Sequence, residues 1–138
     1  MYRKILIAYD GSGSARKALD AALDLSARDG AELHVLAVAH RPDIADDVET
    51  EAVIESSLEY HRKLLADLEE PIRRRGVRYR FDAVVGHPAE QIIYYADRND
   101  IDLIVVGDRG RSKFARILLG SVSKQVTEHA DRPVLVVR

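Results

Sequence analysis

Three glycines near the C-terminal end carry the first chemical signal. Gly107 and Gly110 directly follow the apolar run Leu103-Ile104-Val105-Val106, and Gly120-Ser121 opens a segment of helical spacing. Glycine lets backbone amides come close to an oxyanion and adopt positive φ. The unpaired amides and dipole of a helix start favour an anion at the same place. The hydroxyls of Ser121 and Ser123 add possible donors there. Arg109, Arg111, Lys113 and Arg116 concentrate positive charge in a chain whose net charge is -2. This combination predicts a phosphate site. Asp10, at the end of the apolar run Ile5-Leu6-Ile7-Ala8-Tyr9, is the carboxylate best placed to join it, either as a capping or sugar-binding group or as a ligand for Mg²⁺ shared with phosphates.

These residues need a frame. Ile5 to Tyr9 and Leu103 to Val106 are continuous apolar runs and Leu33 to Val38 is apolar apart from His34, as expected of strands buried on both faces. Tyr79 to Val85 alternates more and reads as an edge strand, and Val134 to Val137 is a last, edge strand. Ala15, Ala18, Leu19, Ala22, Leu23 and Ser26 fall at helical spacing, with Ser12 or Ser14 as cap and Gly30 as the end. A second stripe runs Ile54, Leu58, His61, Leu65, Leu68 and Ile72, with a kink or break expected around Pro71. Pro88 opens a helix carrying Ala89, Ile92, Ile93 and Ala96 inward, and Ser121 to Ala130 is the last helix. Five strands alternating with four helices predict an α/β fold, an open five-stranded parallel sheet in the order 3-2-1-4-5 with helices on both faces. Residues 1–138 form a single domain on this reading. The winding reverses between strands 1 and 4, so a ligand crevice should open there, lined by Asp10 to Ser12 and by the segment from Gly107.

Composition narrows the alternatives. There is no cysteine, which excludes disulfides and thiolate chemistry. The charge balance gives no reason to expect nucleic acid. No apolar stretch reaches the roughly 20 residues of a membrane span, and the first one stops at Asp10, too early for a signal-peptide core. A cytoplasmic protein is expected. Gly11-Ser12-Gly13-Ser14-Ala15-Arg16 is a truncated dinucleotide fingerprint with Arg16 at its third glycine, and strand 2 ends at Val38-Ala39-His40 without the acid such a fold uses. No P-loop is present. The five histidines lack close metal-ligand spacing. His34 reads as a satisfied core residue, while His40 and His87 share a rim of the sheet with nothing pairing them. Tyr94 and Tyr95 read as surface or packing residues. Asp43, Asp46, Asp47 and Glu49 read as solvated charge.

The spacing Gly-x2-Gly-x9-Gly-Ser, as Gly107, Gly110, Gly120 and Ser121, resembles the ATP-binding signature of the universal stress protein family. Lys4 to Ser12, Gly30 to Val38, Asp102 to Gly107 and Arg132 to Val137 resemble its first, second, fourth and fifth strands. The resemblance implies an adenine nucleotide α-hydrolase-like fold, usually dimeric, with ATP or AMP and Mg²⁺ as cofactors. It implies that Ala8 and Val38 flank the adenine and that Asp10 contacts the ribose side. Val106, Gly107 and Gly110 would wrap the sugar and phosphates, and Gly120, Ser121, Val122 and Ser123 would hold the phosphates. Asp108 departs from the small hydroxyl residue common at its position and is expected to repel a phosphate. Lys113 also departs, with a charge that should help.

The expected function is an adenine-nucleotide-binding stress-response regulator or sensor. It would be a homodimer through Val134, Leu135, Val136 and Val137, with an unidentified regulatory protein partner and no nucleic-acid or membrane partner. Two alternatives stand beside it. One is a slow Mg²⁺-dependent ATPase or phosphotransferase using Asp10, for which no second catalytic group is evident. The other is a nucleotide-free dimeric interaction module.

Overall fold

The structure is a computed structural model describing residues 1–40, 48–109 and 120–138, with the backbone alone for residues 48–50. The chain runs β1 (Lys4–Ala8), α1 (Gly13–Asp29), β2 (Glu32–His40), α2 (Val48–Ala66), α3 (Glu69–Arg74), β3 (Tyr79–Gly86), α4 (Pro88–Arg98), β4 (Leu103–Gly107), α5 (Ser121–His129) and β5 (Val134–Val137). The strands form one sheet in the order β3-β2-β1-β4-β5, and every neighbouring pair is parallel. The edge and centre positions are those the apolar runs predict.

Alternate residues of a strand face opposite sides of the sheet, and each side has its own core. Ile5, Ile7, Leu33, Val35, Leu103 and Val105 pack with α1, α2 and α3. Leu6, Leu36, Ile104 and Val106 pack with α4 and α5. Ile5, Leu6, Ile7 and Ile104 are fully buried, each contributing about 1.5–3 kcal/mol of hydrophobic stabilisation.

Helix α1 starts on Ser12, whose hydroxyl accepts the Ala15 amide at 3.1 Å, and ends on Gly30 at φ 69°. Half of the buried residues of α1 are alanine (Ala15, Ala18, Ala22), which lets it lie close to the sheet. The second helical stripe divides into α2 and α3, giving five helices among the described residues where the periodicity predicts four. The break falls upstream of Pro71, at Asp67 and Leu68, because a proline ring obstructs the carbonyl four residues earlier. Pro71 itself sits in the first turn of α3, where its missing amide goes unneeded. Glu49 belongs to α2, whereas Asp43, Asp46 and Asp47 lie outside the described residues.

His34 is a satisfied core residue, as its strand position implies. Its ring is fully buried between the Tyr95 hydroxyl, 2.7 Å from Nδ1, and the Glu32 carboxylate, 2.6 Å from Nε2. Burial pushes the imidazole pKa below 6.5, partly opposed by Glu32, and pushes the Tyr95 hydroxyl up. The neutral ring therefore donates Nε2–H to Glu32 and accepts the Tyr95 proton at Nδ1. Tyr94 is exposed, with the Arg98 guanidinium over its ring. No described helix is long and apolar enough to cross a membrane.

Candidate functional site

The C-terminal ends of β1 and β4 diverge where the winding reverses, and the chain turns sharply after each. After β1, the Asp10 carboxylate accepts the Ser12 amide at 2.9 Å, shaping the entry into α1. After β4, Gly107 lies so close to α1 that a Cβ there would overlap the Ser14 hydroxyl and come within 2.9 Å of the Ser14 carbonyl. The need for glycine at 107 is therefore close approach of a helix.

Asp108 then joins three elements. Its amide donates to Val137 of β5 at 2.9 Å, and its carbonyl accepts the Gly120 amide at 2.7 Å. Its carboxylate accepts the Ser14 hydroxyl at 3.0 Å. The bond to Gly120 brings the start of α5 back beside the end of β4. Helix α5 begins with Gly120 as N-cap and has no side-chain cap. The first-turn amides of a helix have no partner within it, and here no cap side chain supplies one. The Ser123 hydroxyl donates to the Gly120 carbonyl at 3.0 Å, which fixes the turn.

A cavity of about 540 Å³ occupies the crevice. One part is an apolar slot lined by Ala8, Leu36, Val38 and Val106 of one sheet face and by Ile92 of α4, which packs on that face. The polar lining comes from Asp10, Gly107, Arg109, Gly120 and Ser121. Ser57, Tyr60 and His61 of α2 border it as well, with His40 and Pro88 at the outer rim. A flat apolar group fits the slot, and an anion fits the polar end, where an uncapped helix start and an arginine converge. Asp10 is a single carboxylate, a supply that suits Mg²⁺ completed by phosphate oxygens. Among the described residues no three acids or histidines group as a metal site.

Of the residues singled out by sequence, Ala8, Asp10, Val38, Val106, Gly107, Arg109, Gly120, Ser121, Val122 and Ser123 all line this cavity. Ser12 does not, because its hydroxyl is committed to capping α1. Gly110, Arg111, Lys113 and Arg116 lie outside the described residues. Asp108 is 8% exposed and turned toward Ser14, away from the cavity lining. The repulsion expected from its charge thus meets a carboxylate already engaged elsewhere.

Sequence reasoning missed the α2 border. His61 belongs to a stripe that reads as core, and Ser57 and Tyr60 flank that stripe without a signal of their own. His40 and His87 are in fact adjacent, ring centroids 5.8 Å apart, since the pairing of His40 with Gly86 at the end of β3 sets the next residue, the N-cap of α4, beside it.

The fold and crevice define a doubly wound α/β protein with a ligand site at the switch point of its sheet. The sequence profile of the universal stress protein family matches residues 1–138, and the chain belongs to that family. It is 35% identical to universal stress protein YxiE of Bacillus subtilis, over all of both chains. Protein MJ0577 of Methanocaldococcus jannaschii superposes with a TM-score of 0.90 at 28% identity, covering 99% of this chain and 96% of that one. A universal stress protein solved in complex with cAMP superposes with a TM-score of 0.70 at 26% identity, covering 99% and 97%. An adenine nucleotide is thus a known ligand within the family.

Proposed function

We propose that this chain binds an adenine nucleotide, ATP or AMP, in the β1/β4 crevice and acts as a regulatory or sensor protein of the stress response. The observation that carries the reading is the junction of an apolar slot with the uncapped start of α5, both within one cavity. The base occupies the slot between Ala8, Val38 and Val106. The phosphates meet the amides of Ser121 and Val122 together with Arg109, where an anion offsets both helix dipole and guanidinium. Asp10 faces the sugar and is the one protein ligand offered to a magnesium ion carried by the phosphates. The sensing unit is a homodimer in which the β5 edges pair. Among the described residues β5 has a neighbouring strand on one side only, and Leu135 is 36% exposed.

Calorimetric titration of nucleotide-stripped protein with ATP and magnesium tests the reading. Saturable binding near one nucleotide per chain is expected. No heat at millimolar ATP would sink it and leave the interaction module. Release of ADP above a protein-free control would instead move the protein to the ATPase reading.

A further inference from the structure

We infer that Asp108 is a positioning residue for the nucleotide site, holding Arg109 and the start of the glycine segment in register through Ser14. This rests on the nucleotide reading above. Asp108 is a charged residue with 8% exposure, and a carboxylate so placed requires partners. It accepts the Ser14 hydroxyl at 3.0 Å, and its Oδ1 lies 3.5 Å from the Arg109 Nε. The Ser14 oxygen in turn accepts the Arg109 amide at 3.2 Å. Three residues therefore form a closed unit. α1 supplies the hydroxyl, and the chain leaving β4 supplies the carboxylate, the amide and the guanidinium.

The backbone of the same residue completes the arrangement. The Asp108 carbonyl receives the Gly120 amide at 2.7 Å and the Ser123 hydroxyl at 3.3 Å. The start of α5 is thereby fixed relative to Arg109. Arg109 lines the cavity, whereas Asp108 does not. The Arg109 Nε lies beside the Asp108 carboxylate, and a guanidinium has five N–H donors in all, enough to meet a carboxylate and an anion together. An arginine already held by a carboxylate on its far side loses less freedom when it meets a phosphate. The acidic side chain thus strengthens an anion site instead of opposing it.

The test compares Asp108→Ala, Asp108→Asn, Ser14→Ala and the Ser14→Ala/Asp108→Ala double variant. Mg·ATP affinity is read by calorimetry, and amide hydrogen exchange at Arg109 and Gly120 is read without nucleotide. Asp108→Ala should weaken binding about threefold to tenfold, the range for immobilising one long side chain. Asp108→Asn keeps an acceptor oxygen for Ser14 and should restore affinity to within about twofold of the parent, a difference too small to reflect a lost buried partner. The double variant should bind no worse than Asp108→Ala alone, since both changes break one unit. Exchange at Arg109 and Gly120 should accelerate in Asp108→Ala and Ser14→Ala. Tighter binding by Asp108→Asn would overturn the inference, because it would show the charge repelling phosphate. So would unchanged exchange in both alanine variants. If the parent binds no ATP, the nucleotide reading fails, and the exchange measurements still decide whether Asp108 holds the segment.

Discussion

Of the helices that begin at the crevice, α1 and α5 meet it differently. α1 follows β1 and starts on Ser12, whose own hydroxyl takes the Ala15 amide. α5 follows the segment after β4 and starts on Gly120, which has no side chain to do so. Both helix starts carry the same sign of dipole. The difference lies in one residue. Serine spends a free amide on the protein itself, whereas glycine leaves it for a guest. A helix start becomes an anion site through the residue that fails to cap it.

The comparison can be broken at its shared support. Gly107 is where α1 touches the end of β4, and Gly107→Ala drives a methyl group into Ser14. Displacing a helix by that overlap should cost about 1–3 kcal/mol. A fall in the thermal midpoint together with lost ATP binding is expected, and an unchanged midpoint would contradict the close approach.

Next comes the open helix start. Gly120→Asp gives α5 a carboxylate that caps its own amides and faces the phosphates. The helix should gain a few tenths of a kcal/mol while ATP affinity falls at least about tenfold. Stability and binding moving together would refute the contrast. The converse change, Ser12→Ala, should remove about 1 kcal/mol of stability and leave affinity within about twofold. A large affinity loss there would return Ser12 to the binding site.

The smallest effect concerns the far end of the sheet. His34 is held neutral, with its folded pKa below 6.5. As pH falls through about 6.5, the unfolded chain takes up the proton first, so the His34 contribution is complete above that value and declines below it. Denaturant unfolding at about pH 7.5 and about pH 5 should show a shallower fall for His34→Gln than for the parent. Equal falls would mean that His34 is not the group responsible.

The frame was legible because β1, β2 and β4 carry the most apolar runs and β3 alternates, although β5 at the other edge is apolar as well. With the handedness of parallel crossovers, that pattern orders the sheet and places the crevice. The cavity residues on β1, β2, β4 and α5 follow from the frame. What stayed hidden depends on contacts between distant parts of the chain. Ser14 and Asp108 are 94 positions apart, and nothing in the sequence signals that the hydroxyl of one meets the carboxylate of the other. The contribution of α2 was hidden for another reason. Whether Tyr60 and His61 face core or crevice depends on where α2 crosses the sheet, which periodicity does not encode. The break expected around Pro71 falls about a turn before it because a proline acts on the carbonyl four residues earlier, here that of Asp67.

The 2.7 Å bond between Asp108 and Gly120 has a consequence for engineering. It holds side by side two residues that stand twelve positions apart in the sequence, so their closure is fixed by β4 and α5 themselves. Doubling the length of a closed segment costs only about 0.6 kcal/mol in closure entropy. Residues added to the sequence between Asp108 and Gly120 should therefore leave the packing of both cores intact.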